Sequence, residues 1–267
     1  MKSRLIITLT ILFTISVIFV ANPIAADAKT LLIGIDVQDN FPSIGPTGTE
    51  NGLNPGIFIE EMRYIEKKAN INFKYKRIPW KKCLINLKRG KLDGVVCGSY
   101  KKERGVFPMT SAGKPDSKRR FSDSSYYLYV KKDSDLKWNG KKFNKRNIRI
   151  GAQLGFSIVA VLKKLGVRVD EVTSIKINFR KLMKGRIIGL AAHEDSGDAA
   201  MVDYSNVKKL KIPLKTKSYY FIMSHQIFKS NPKLVNKIWK ACATLQGKKL
   251  KKMKAKYRGK KGWADLK

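Results

Sequence analysis

The stretch "GIFIEEMRYIEKKANINFKYKRIPWKKCLINLKRGKLDGVVCGSYKKER", residues 56–104, changes its hydrophobic period several times, and those changes decide the fold. Ile57, Met62, Ile65 and Ala69 recur near helical spacing with charged residues between them. Residues 71–78 then alternate apolar and basic, as a strand with one wet face does. Pro79 is tolerated in the first turn of a helix, and Leu84, Ile85 and Leu87 read as that helix's inner side. Gly90 closes it, and residues 92–97 form a short apolar run that reads as a buried strand. Upstream, "LLIGIDV" at residues 31–37 is a similar run, followed by a loop dense in Gly, Pro, Asn and Thr. The order β-α-β-α-β calls for parallel strands with helices packed across the sheet.

A second series of the same plan follows. Residues 147–155 read as strand and glycine turn, 157–165 as helix, 167–172 as strand, 177–183 as helix, and "KGRIIGLAA" as turn and strand. Two aromatic, β-prone stretches flank this series, "FSDSSYYLYVKKDSD" and "KTKSYYFIMSH". Two α/β lobes joined by two extended crossings would hinge there, near residues 124–130 and 214–222. The expected division is residues 29–125 for lobe 1, 126–216 for lobe 2, and 217–267 returning to lobe 1. A last helix is expected from Pro232 to about Leu245, then a basic, weakly amphipathic tail that is partly frayed.

The N-terminus points to a compartment. Lys2 and Arg4 precede an apolar run at residues 5–21, Pro23 breaks it, and Ala26-Asp27-Ala28 offers a small-x-small cleavage site. This is the layout of a secretory signal peptide spanning residues 1–28; an uncleaved membrane anchor is the other reading. The expectation is a mature chain, from about Lys29, exported to the periplasm. The formal net charge of +36 suggests acidic ligands or anionic surfaces. Export argues against nucleic acid, and the basic residues are spread along the chain, so any surface contact is expected to be nonspecific and salt-screened. Of the three cysteines, Cys83 and Cys242 are candidates for a disulfide tying the last helix to the first lobe, with Cys97 free near the pocket rim. Two histidines and no Cys/His cluster argue against a zinc site, and no metal or other cofactor is expected.

Taken with "YYLYVKKDSDLKWNGKKF", "IGAQLGFS" and "KLMKGRI", the opening stretch resembles bacterial extracellular solute-binding proteins of family 3, the periplasmic receptors of polar amino acid uptake. The resemblance implies a two-lobed α/β fold of the type II periplasmic-binding-protein class, not an enzyme. It implies a monomer that captures a small polar or anionic solute, an amino acid or a relative, by lobe closure and presents it to an ABC permease. Two alternatives stay open: a sensing module that addresses a membrane receptor, and a dehydratase-like enzyme on the same fold, for which His193 and Glu194 are the only nearby pair. Arg104 matches the family arginine that clamps a carboxylate, a task suited to the guanidinium fork. Ser99 matches a ligand-contacting hydroxyl. Phe41 and Trp80 match aromatic positions that sandwich the ligand, or else pack in the core. Ser157 matches a hydroxyl that caps the carboxylate from the second lobe, or else is a helix N-cap. Counting from "KGRI" puts His193 at the second-lobe acid position, and counting from "GDAAMVD" puts Asp203 there. The chain also departs from the family pattern: the span from Asp93 to Arg104 is one residue short, and Lys101 replaces a threonine.

Overall fold

The computed structural model describes residues 28–257 except 39, together with residue 260. The leader sequence therefore lies outside the described residues. Strand β1 (Thr30–Asp36) pairs in parallel with β2 (Asn72–Ile78) on one side and β3 (Gly94–Ser99) on the other. Between them come helices α1 (Ile57–Ala69) and α2 (Trp80–Lys88), in the order the sequence periods require.

Period-two alternation in β1 assigns its two faces. Leu31, Ile33 and Ile35 pack with Ile59, Met62 and Ile65 of α1 and with Val235, Ile238 and Trp239 of α7 (Pro232–Leu245). Leu32 and Gly34 face α2, where Cys83, Leu87, Leu92 and Val95 form the opposite layer. The inner side of α2 carries Trp80, Cys83, Leu84 and Leu87, an i, i+3, i+4, i+7 set. Ile85 lies off that stripe and is 48% exposed, so the expected inner face was rotated by one residue. The expected Cys83–Cys242 disulfide is also corrected, because all three cysteines are free. Cys83 lies beneath α2 and Cys242 beneath α7, on opposite faces of one sheet, and no backbone geometry bridges that layer.

The second unit holds β5 (Arg149–Gln153), α3 (Ser157–Lys164), β6 (Arg168–Val172), α4 (Ile175–Met183), β7 (Gly189–His193) and α5 (Glu194–Met201). Strand β5 pairs in parallel with both β6 and β7. The units are joined through β4 (Ser122–Lys131) and β9 (Lys215–Met223), antiparallel partners over Ser122–Tyr126 and Lys215–Tyr219. Beyond that overlap β4 continues into the second core through Leu128 and Val130, and β9 into the first through Phe221 and Ile222. A short β8 (Val207–Lys209) borders β4, and the full strand order is β2-β1-β3-β9-β4-β7-β5-β6.

The chain ends with α6 (His225–Ser230), α7 and α8 (Lys248–Tyr257). Asn231 caps α7 by accepting the Leu234 N–H, with Pro232 in the first turn. The part of the basic tail that is described, through Tyr257, is helix α8 docked on α1. The Tyr257 hydroxyl donates to Glu60 at 2.7 Å and accepts the Gly56 N–H at 3.1 Å, while Lys256 pairs with Glu60 at 2.6 Å. Gly56 has φ 102° at this junction, and a Cβ there would lie 2.6 Å from the Ser43 carbonyl oxygen.

Candidate functional site

The carboxyl ends of β1, β3, β5 and β7 converge with the β4/β9 crossing on one cavity of about 90 Å³. This is where an α/β sheet leaves backbone groups and helix starts free to meet a ligand. From the first lobe, β3 ends at Ser99 and a 3-10 turn, Lys102–Arg104, folds Arg104 back over it. Arg104 is only 9% exposed; its Nη1 donates to the Ser99 carbonyl at 3.1 Å and to the Ser99 hydroxyl at 3.0 Å. No carboxylate lies in salt-bridge range of it among the described residues. Burial holds its pKa below the usual arginine value, though a guanidinium stays charged at neutral pH.

The crossing strands contribute two tyrosines that the sequence reading did not single out, Tyr126 and Tyr219. Both occur in a Ser-Tyr-Tyr triplet, Ser125-Tyr126-Tyr127 and Ser218-Tyr219-Tyr220, and that repeat was the available signal. Burial pushes the Tyr126 phenol up to about 12 and the Tyr219 phenol higher still, so both are neutral donors. Ser157, first residue of α3, is buried beside them. Among the described residues its hydroxyl makes no hydrogen bond of ordinary geometry, its nearest polar neighbours being those two phenols, and the N-cap position belongs to Phe156.

His193 ends β7 inside the cavity. Its ring packs at a tilt of 31° against Tyr126 at a centroid distance of 3.9 Å; Nδ1 is hydrogen-bonded to the Ser124 hydroxyl at 2.8 Å, and Nε2 meets the Tyr219 hydroxyl at 3.4 Å. Burial, then Lys217 and Lys254, push its pKa down to about 3, so the imidazole is neutral. Asp203 is exposed in the turn after α5 and does not line the cavity. Trp80 does line it, and would touch a Cβ at Gly155 across the cleft at 3.7 Å. Phe41 lies outside the lining, edge-on to Tyr257 at 6.3 Å, while Phe58 and Phe156 add apolar rings to the lining beside Trp80.

Three carboxylates line the cavity. Asp123 is held by Arg120 and the Ser218 hydroxyl, Asp195 by Lys254 of α8 at 3.2 Å, and Asp36 accepts the Gln38 N–H at 3.2 Å. Lys217, whose Nζ reaches the Ser157 carbonyl at 3.4 Å, is pushed down to about 8 by burial and then by Arg104. Among the described residues no cluster of His, Cys, Asp and Glu could hold a metal ion. No described helix is long and apolar enough to cross a membrane.

Two α/β lobes around a cleft, crossed twice by extended chain, define a two-lobed binding protein. The family model for bacterial extracellular solute-binding proteins, family 3, matches residues 33–260, and the chain belongs to that family. Among solved structures it is similar to the substrate-binding protein of an amino acid ABC transporter, with TM-score 0.66, 19% identity, and coverage of 86% of this chain and 99% of that one. The GluR0 ligand-binding core in complex with L-glutamate gives TM-score 0.69 at 15% identity, covering 88% and 100%. An ancestral amino acid-binding protein, precursor of cyclohexadienyl dehydratase, gives 0.66 at 17% identity, covering 85% and 94%. No curated protein sequence matches the chain.

Proposed function

We propose that the protein captures a small carboxylate-bearing solute of amino-acid size by closing its lobes, on the periplasmic side of the membrane, as a monomeric receptor for an ABC permease. The observation that carries this reading is Arg104, a buried cation in the cleft lining with Ser99 as its hydrogen-bonding partner and, among the described residues, no carboxylate in salt-bridge range. A buried unpaired charge is costly, and a planar oxyanion pairing with the open face of the fork removes that cost. Ser99, Ser157, Tyr126 and Tyr219 supply neutral hydroxyls for the remaining oxygens, and Trp80 gives an apolar wall. The bends of closure fall at the β4/β9 overlap, where the chain passes between the two cores.

Capture is favoured over turnover by the state of His193. A base whose conjugate acid ionises near 3 drives proton abstraction poorly at neutral pH. Membership of the family and the leader-like N-terminus support the permease partner and the periplasmic address. A thermal-shift screen against amino acids, carboxylates and small inorganic anions tests the reading, because a ligand stabilises by mass action. The expected result is a concentration-dependent rise in Tm for at least one carboxylate, accompanied by compaction in solution scattering. Binding of heparin or anionic vesicles that persists at high salt, with no small anion shifting Tm, would overturn it.

A further inference from the structure

The C-terminal helix reaches the cleft. Lys254, on α8, belongs to the cavity lining and donates to Asp195 of α5, so the two ends of this ion pair come from opposite lobes. Helix α8 is fixed for this purpose by Tyr257 and Lys256, which both bind Glu60 on α1. Asp195 is the one acid that the second unit contributes to the cavity lining, since Asp203 faces solvent and Glu194 is drawn away by Lys209 at 2.7 Å. The neighbourhood of Arg104 has the same bias. After burial itself, the groups that act on its ionisation are the two phenols, Tyr126 and Tyr219, and the exposed Glu103 of its own turn. An ammonium on the carbon next to a carboxylate clamped by Arg104 would thus meet hydroxyls, a neutral imidazole and the nearby cation Lys217. Of the other two acids in the lining, Asp123 is already held by Arg120 and the Ser218 hydroxyl, and Asp36 belongs to the first lobe and accepts the Gln38 N–H. A desolvated ammonium needs an anion within a few ångströms, and hydroxyl oxygens replace it poorly.

We propose that Lys254 is a specificity-determining residue of the cleft. By holding Asp195 it withdraws the second lobe's carboxylate from the solute, and the site accepts carboxylates that carry no ammonium on the adjacent carbon. This rests on the capture reading above, with Arg104 as clamp. In effect the protein supplies its own tethered ammonium where an amino acid would bring one. Removing that ammonium frees Asp195 to pair with the ligand's.

The test is titration calorimetry of the purified protein with matched pairs that differ only in the α-amino group: succinate and aspartate, glutarate and glutamate, isovalerate and valine. The wild type is expected to bind the desamino member of a pair at least tenfold more tightly. Lys254→Met is expected to shift the ratio toward the amino acid by tenfold or more. Lys254→Arg should keep the wild-type preference, and adding Asp195→Asn to Lys254→Met should abolish the gain. A wild-type preference for the amino acid, or a ratio in Lys254→Met within twofold of wild type, overturns the assignment even while Arg104-dependent binding stands. If no carboxylate binds at all, the capture reading falls and takes this one with it. Circular dichroism melts of each variant confirm that α8 remains docked.

Discussion

Replacing Arg104 with alanine separates a clamp from a structural arginine, because the two roles predict opposite effects on the free protein. In the free protein the guanidinium makes two hydrogen bonds, both to Ser99, while it is 9% exposed and lacks an acid partner. Truncation loses those bonds, about 1–2 kcal/mol, but also releases a desolvated charge that costs a comparable amount. The stability of the unliganded protein should therefore change by no more than about 1 kcal/mol in either direction. The liganded state is different. A bidentate carboxylate on the fork makes two charge-assisted bonds at about 1.5–3 kcal/mol each, so affinity should fall by roughly 3–6 kcal/mol, about a hundred- to ten-thousand-fold in Kd. Arg104→Lys keeps the charge and loses the fork, and should recover only part of this. Urea unfolding of the free variants and calorimetry with the best carboxylate from the screen measure the two quantities. Affinity within twofold of wild type would remove the clamp. A free-protein loss above about 2 kcal/mol with little change in Kd would reassign Arg104 to holding the turn after β3.

Three other measurements probe the charges around the cleft. Lys217 ionises near 8 in the free protein, and a bound anion raises that value, so anion affinity should be full below about pH 8 and decline as pH rises above it; Lys217→Met should flatten the decline, and an unchanged profile in that variant would exclude Lys217. Glu61 of α1 is fully buried, neither carboxyl oxygen is bonded among the described residues, and burial raises its pKa well above the usual carboxylate value. The folded state then holds a proton that the unfolded state gives up, and stability is lost as pH rises above the unfolded value. Glu61→Met should stabilise at pH 7 by about 1–3 kcal/mol and by less at pH 4, read from urea midpoints. His193 has the opposite sign: its folded pKa near 3 lies below the unfolded 6.5, so stability should fall as pH drops from 6.5 toward 3. His193→Gln should shallow that slope, and an identical acid limb would mean the ring is not held neutral.

The sequence carried the layers of this fold because each layer is written locally. Period two in β1 and the helical stripes of α1 and α7 assign faces without knowledge of any distant residue. Errors came where a face was read from too few residues. Helix α2 spans nine residues, and within so short a helix Ile85 and Leu84 compete equally for the inner stripe until Cys83 and Leu87 are seen packed. The site was only partly legible for a related reason. Arg104, Ser99, Trp80, Ser157 and His193 were marked by the family resemblance at strand ends or helix starts, and all five line the cavity. The choice between His193 and Asp203 turned on counting across a turn, which no local period resolves; of the two, His193 lines the cavity and Asp203 does not. Asp195 and Lys254 had no local signature of any kind. One is an acid in the first turn of a short helix, and the other is one of 56 basic residues in a tail with nothing to mark it. Their pairing is a tertiary fact set by how α8 docks on α1. That docking rests on Tyr257 and Glu60, 197 positions apart in the chain, so the charge balance of the cleft depends on a long-range contact that no local pattern announces.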